Sequence, residues 1–232
     1  KMGNEHGEWI MRGLSDSDPR CIKTVDALIE YIDHVGFLPL FANGIEGFSV
    51  EEHTNPDFWW SGVIERDPWE WRAIIARSGK VAYGKFFDKK AGFVSLSMLP
   101  HFVNYRRSGY DFDSRAEEGL ASHKCRRIMS CFEGKPEISS PELKELAGFG
   151  KGGEKNFEGV LTSLQMETYL CVRDFRRRLN KKGEPYGWPV AVYSTVESLW
   201  GEEYAMKAYN ESPEKSHERI IKQITKFYPN VT

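Results

Sequence analysis

The chain has 232 residues, 40% of them hydrophobic and 28% charged, with a formal net charge of −2. That balance is globular: it excludes disordered and low-complexity classes and gives enough apolar mass for one large core or two smaller ones. No apolar run approaches the roughly 20 residues of a transmembrane helix and the polar start of the chain does not read as a secretory leader, so a cytoplasmic protein without a membrane partner is expected.

Residues 23–35 place Val25, Leu28, Ile29, Ile32 and Val35 at helical spacing behind Thr24, a candidate N-cap. They predict a first helix that ends at Gly36, followed by a short apolar stretch interrupted by Pro39. After a polar, turn-rich segment comes an aromatic cluster of Phe58, Trp59, Trp60, Trp69 and Trp71. Asp67-Pro68-Trp69-Glu70 has the cap, the first-turn proline and the acid of a helix start, and predicts a second helix to about Arg77. Residues 81–87 and 92–96 are β-like around Asp88-Lys89-Lys90-Ala91, which predicts a hairpin, and residues 98–107 read as a helix.

The stretch 109–113 breaks this periodicity and reads as a domain boundary. Beyond it, residues 114–132 predict one helix with Leu120, Cys125, Ile128, Met129 and Phe132 on the apolar side and Lys124, Arg126 and Arg127 toward solvent. Ser139-Ser140-Pro141-Glu142 opens a short helix that buries Leu143 and Leu146 and stops at Gly148. Residues 154–169 carry Phe157, Val160, Leu161 and Leu164, the narrow apolar stripe of a third helix. Two β runs, 170–178 and 188–195, enclose a turn-rich segment over 180–187 and predict a hairpin with an extended tip. Residues 199–209 read as helical, and a last helix opened by Ser212-Pro213-Glu214 is expected to bury Ile220, Ile221, Ile224 and Phe227. No repeat of 20 to 50 residues is visible. The expected organisation is an N-terminal extension (1–22), an aromatic-rich domain (23–113), a basic domain (114–196) and C-terminal packing helices (197–232).

The small net charge hides an asymmetry. Residues 115–190 hold 14 Lys and Arg against 11 Asp and Glu, a net of +3, while the rest of the chain has 18 against 23. Six of the twelve residues from Cys171 to Lys182 are basic: Arg173, Arg176, Arg177, Arg178, Lys181 and Lys182. Three helices followed by a hairpin is the order of a winged helix-turn-helix, in which the third helix enters the major groove of DNA and the wing approaches the backbone. That chemistry asks for cations on the wing and polar groups on the third helix. The wing cations fit, and Lys151, Lys155, Asn156, Thr162 and Ser163 lie off the apolar stripe. Glu154 and Glu158 oppose phosphate on the same helix, and the plainer alternative for the arginines is a merely solvated or intramolecularly paired hairpin.

Gly148, Gly150 and Gly153 match a GxGxxG pattern but follow a helix rather than a strand, so they read as turn glycines and not as a dinucleotide site. Trp59, Trp60, Trp69 and Trp71 are either core or a ligand-facing pocket that stacks a base. Cys21, Cys125, Cys131 and Cys171 form no CxxC, and the six histidines form no HExxH, so neither a metal nor another cofactor is expected. No Ser-His-Asp or Cys-His arrangement nominates a catalytic residue.

The blocks Gly36-Phe37-Leu38-Pro39-Leu40-Phe41 and Ala82-Tyr83-Gly84-Lys85, continuing through Ala91 to Phe102, resemble the layout of the AlkZ-like DNA glycosylase superfamily. More closely, Asp67-Pro68-Trp69-Glu70-Trp71-Arg72, Tyr83-Gly84-Lys85-Phe86-Phe87, Leu146-Ala147-Gly148-Phe149-Gly150-Lys151 and Tyr186-Gly187-Trp188-Pro189 resemble short bacterial proteins called AlkZ-related. The resemblance implies an α+β fold of tandem winged helix-turn-helix-like modules, mostly helical, whose small β-hairpins are the wings. Active members of the superfamily carry Gln-x-Gln or Gln-x-Asp just after the first helix, to position water against the glycosidic carbon. Pro39 and Phe41 fall at those positions here, and neither Gln165 nor Gln223, the two glutamines present, has a partner at that spacing. A non-catalytic or cryptic double-stranded DNA-binding protein, tied to repair or regulation, is therefore expected. The alternatives are a divergent glycosylase for alkylated bases, with Glu46, Glu51, Asp67 or Glu70 as relocated acid, and a winged-helix module for a protein partner.

Overall fold

Two short strands, β1 (Met2–Gly3) and β2 (Trp9–Ile10), pair near the start of the chain. The computed structural model describes residues 2–3, 9–229 and 231; Lys1 and residues 4–8 of the expected N-terminal extension, with His6 among them, lie outside the described residues. Helix α1 (Val25–Val35) begins where Thr24 accepts a hydrogen bond from the Ala27 amide at 3.2 Å. It buries Leu28, Ile29, Ile32 and Val35 and leads into β3 (Phe37–Pro39). Two 3-10 turns, Glu51–His53 and Pro56–Phe58, precede α2 (Pro68–Ser78), which Asp67 caps as its sequence predicts. The hairpin of β4 (Val81–Phe87) and β5 (Lys90–Ser95) turns on Asp88 and Lys89 with φ of +45° and +66°. Both are left-handed, as the twist-compatible two-residue turn requires. Helix α3 (Leu99–Arg106) closes this half.

The second half departs from expectation in several places. The single helix expected over residues 114–132 is two, α4 (Phe112–Glu117) and α5 (His123–Ser130). Gly119 turns left-handed between them, φ +73°, and Leu120 is exposed instead of buried. Ser122 then recaps the chain by accepting from the Cys125 amide at 3.2 Å. Strand β6 (Ile138–Ser139) and helix α6 (Ser140–Leu146) follow; Leu143 is buried, but Leu146 is exposed and Ala147 fills the core in its place. Helix α7 (Phe157–Met166) is shorter at both ends than the expected 154–169, starting at the first residue of its apolar stripe because Asn156 takes φ +68°. Strands β7 (Leu170–Leu179) and β8 (Pro185–Thr195) run further outward than expected, so the extended tip shrinks to residues 180–184. The helix read over 199–209 is α8 (Val196–Trp200) and α9 (Glu202–Ala205), separated by Gly201 at φ +92°. In α10 (Pro213–Phe227), Ile220 and Ile224 are buried while Ile221 is exposed.

The fold is α+β, with ten α-helices and a six-stranded antiparallel sheet among the described residues. The hairpins expected to be small and separate join in that one sheet, ordered β3-β5-β4-β7-β8-β6. Its two halves meet where Tyr83 of β4 pairs with Val172 of β7. The order is a palindrome. Each half contributes a short edge strand, then the second strand of a hairpin, then the first, and the helices preceding the strands repeat in kind although no sequence repeat announces them. Leu28, Ile32, Trp71, Ile75 and Phe93 share one continuous apolar core with Ile128, Leu143, Leu161, Leu164 and Leu170. Helix α10 returns across the chain to α3 and α1, where Asn104 donates to Ser216 at 3.0 Å and Gln223 donates to the Val35 carbonyl at 3.0 Å.

Candidate nucleic-acid interface

The β7–β8 hairpin leaves the body of the protein at Arg176, and every residue from there to Pro189 is exposed. Its tip is held by Asn180, whose side-chain oxygen accepts from the amides of Lys182 at 2.8 Å and Glu184 at 3.0 Å, while its amide nitrogen donates to the Glu184 carboxylate at 2.9 Å. Gly183 supplies the left-handed residue of the turn, φ +80°. Lys181 and Lys182 thus sit on an ordered loop.

The six basic residues singled out by sequence fall into two groups. Arg173 meets Glu137 at 2.9 Å, and Arg176 meets Glu137 at 2.6 Å and Asp174 at 2.7 Å. Arg177, Arg178, Lys181 and Lys182 form no ion pair among the described residues. Only the second group presents uncommitted charge to a ligand. Beside these cations stand three exposed apolar side chains that were not among the expected DNA-contacting residues: Leu179, Tyr186 and Trp188, the last 89% exposed. The guanidinium of Arg178 lies 6.0 Å from the Tyr186 ring. The signal that would have found them is this interleaving of aromatic and basic residues across one hairpin.

Asp174 anchors the base of the hairpin. Burial works to raise its pKa, but hydrogen bonds from Arg176, Arg77 and the Phe175 amide outweigh burial and hold the carboxyl below its ordinary value. A depressed folded-state pKa stabilises the protein above the unfolded value near 3.8 and loses that contribution as pH falls through the lower folded value. Asp174→Asn is therefore expected to flatten the acid limb of a stability-against-pH curve below about pH 4, as followed by urea unfolding at successive pH values.

Lys151, Lys155 and Asn156 are exposed on the loop before α7 rather than on the helix itself. They line or adjoin a groove of about 530 Å³ formed with Lys144, Phe149, Gly150 and Gly153. Asn156 makes no side-chain capping hydrogen bond to α7, and its amide group lies over the first turn beside Gly159. Glu154, expected to repel phosphate, is faced by Lys124 at 3.5 Å and Arg127 at 4.0 Å; Glu158 remains exposed. Ser163 is half-buried and reaches Glu167 at 3.4 Å. Further along α7, Gln165 accepts from the Lys85 amide at 3.1 Å and Met166 from the Lys89 amide at 3.2 Å, so the first hairpin lies against the end of the helix. The first turn and its loop are the part open to a partner. Gly148 sets that loop at φ +74°, where an added Cβ would run into the Arg127 guanidinium. Gly148→Ala should lower stability by about 1–3 kcal/mol in urea unfolding, from backbone strain and the displaced arginine together.

The four tryptophans are not one surface. Trp59 and Trp71 are buried, and their indole N–H groups donate to Thr54 Oγ1 at 2.9 Å and to the Ile64 carbonyl at 3.1 Å. Trp69 is half-buried and Trp60 is 50% exposed. Phe41, at the position the superfamily motif would occupy, packs against Trp59, Trp60 and Trp69 with ring centroids 5.3 to 6.4 Å apart. Pro39 lies in β3, within the core. Of the carboxylates weighed as substitutes, Glu51 accepts the Arg12 and Ala42 amides at 3.0 and 2.9 Å. Asp67 accepts those of Trp60, Gly62 and Trp69 at 3.1, 3.2 and 2.9 Å. Both therefore hold backbone, while Glu46 and Glu70 are exposed.

Among the described residues no three His, Cys, Asp or Glu side chains converge as a metal site, the four cysteines are free, and no helix is long and apolar enough to cross a membrane. A family model described as AlkZ related matches residues 22–232. No curated protein and no solved structure matches the chain.

Proposed function

The chain belongs to the AlkZ-related family, and from that premise we propose that it is a DNA-binding protein of two winged helix-turn-helix-like modules, acting on double-stranded DNA in the cytoplasm. The observation that carries this reading is the β7–β8 hairpin, a wing exposed along its whole outer half with Arg177, Arg178, Lys181 and Lys182 unpaired among the described residues. The element order supports it. Helix α5, strand β6, helices α6 and α7 and the β7–β8 hairpin succeed one another as in a winged helix, and α1, β3, α2 and the β4–β5 hairpin echo them. In this role the wing takes backbone phosphates and the first turn of α7, with Lys151, Lys155 and Asn156, approaches the groove. Arg173 and Arg176 stiffen the wing through Glu137 and Asp174 instead of contacting DNA.

The test is fluorescence anisotropy of a labelled duplex across a salt series. Each phosphate neutralised contributes a slope of about −0.9 to log K against log salt, so four wing cations predict a slope near −3 to −4. Absence of binding even at low salt would overturn the proposal and leave the protein-partner reading.

A further inference from the structure

Trp60 occupies a backbone conformation that a bulky residue seldom adopts, φ +61°. Burial of its ring does not account for it, because half the residue is exposed. The buried carboxylate of Asp67 holds it there, accepting the amides of Trp60, Gly62 and Trp69. Strain that persists because the surroundings impose it is characteristic of functional positions. From Trp60 a chain of ring contacts leads to the wing. Its ring lies 5.8 Å from that of Trp69; the Arg72 guanidinium lies 3.2 Å over Trp69 and 4.8 Å from the ring of Phe175. Phe175 belongs to β7, two residues before Arg177.

We infer that Trp60 is the stacking platform for an unpaired nucleobase of a DNA strand whose phosphates the wing holds, so that the preferred ligand is a duplex carrying an unpaired nucleotide. The inference rests on the DNA binding proposed above and narrows its ligand. A fixed, half-exposed indole stacks any base, and a cation between aromatic rings is the usual partner of such platforms. Exposed Val63 and Ile64 extend the apolar surface, while exposed Glu65 and Glu70 repel phosphate. Those acids leave the platform to the base and the backbone to the wing, while Arg72, which donates to the Trp69 carbonyl at 2.7 Å, steadies the rings.

The experiment compares an intact duplex with one bearing a single bulged 2-aminopurine, by anisotropy and by emission of the probe, for the wild type, Trp60→Phe and Trp60→Gly. Glycine suits the left-handed backbone, so Trp60→Gly removes the ring without adding strain, and melting temperatures check both variants. The wild type is expected to bind the bulged duplex at least about fivefold more tightly and to quench the probe. Trp60→Gly should bring that preference to about one and restore emission without altering intact-duplex affinity, with Trp60→Phe between. Equal wild-type affinity for the two duplexes, or a preference and quenching that survive in Trp60→Gly, would overturn the inference while leaving duplex binding in place. Failure to bind either duplex would overturn both.

Discussion

Alanine in place of Arg177, Arg178, Lys181 and Lys182 together is expected to weaken duplex binding on the order of 10³-fold at about 0.1 M salt and to flatten the salt slope by up to about 3.6. These four cations have no ion-pair partner among the described residues and sit on an exposed hairpin, so their loss should move stability by no more than about 0.5 kcal/mol. Arg176→Ala is the informative contrast. The hydrogen bonds that its guanidinium donates to the Glu137 and Asp174 carboxylates raise it above its ordinary pKa, and removing it strips a partner from Asp174, which is almost fully buried. That variant should lose stability and keep most of its salt slope. Anisotropy titrations at several salt concentrations, paired with urea unfolding of each variant, separate the two effects. Equal slopes for the wild type and the fourfold variant would remove the wing from the interface.

The second large effect is expected far from the wing. Arg107, just past α3, is fully buried. It ion-pairs with Glu197 of α8, donates to the Thr168 carbonyl at 2.8 Å and lies 4.4 Å over the Tyr169 ring. Burial opposes its charge, but Glu197 outweighs burial and the guanidinium is held above its ordinary pKa. Glu197→Gln therefore strands a buried cation and should cost about 3–5 kcal/mol, a large share of the about 5–15 kcal/mol that a domain of this kind possesses. Arg107→Met leaves Glu197, about a quarter exposed, free to turn into a groove of about 730 Å³ lined also by Asp113, Glu117, Glu133 and Glu202. It should cost less than Glu197→Gln. Urea unfolding of the two variants checks the order; the reverse ranking would mean that packing rather than charge decides the site. The acidity of this groove also turns phosphate away from that side of the molecule.

What was legible in the sequence was local. Thr24, Asp67 and Ser212 each announce a helix start, because a cap and the amides it serves lie within three residues of one another. The β-rich runs around the wing were legible for the same reason. The pairing of Tyr83 with Val172, which merges two expected hairpins into one sheet, joins residues far apart in the chain and leaves no periodic trace. Asn156 delays the start of α7 through a left-handed conformation that its residue type permits without requiring. On the wing, the sequence displayed six equivalent cations. Only the position of Glu137, more than thirty residues upstream, commits Arg173 and Arg176 and leaves the other four available. Likewise, four tryptophans looked alike until burial separated Trp59 and Trp71 from the half-exposed Trp60.

The palindromic sheet also determines which parts of the molecule can attract a copy of itself. Within the body of the sheet the outermost strands, β3 and β6, are three and two residues long, while the outer halves of β7 and β8 project past every neighbour as the wing. Short edges offer few unpaired amides to another chain's strand, and on the projecting wing the exposed Arg177, Arg178, Lys181 and Lys182 discourage such pairing by charge. Severing the chain between its halves would bare one side of β4 and of β7, turning protected interior strands into sticky borders. Within the body of the sheet, each half thus covers the inner hairpin strand of the other.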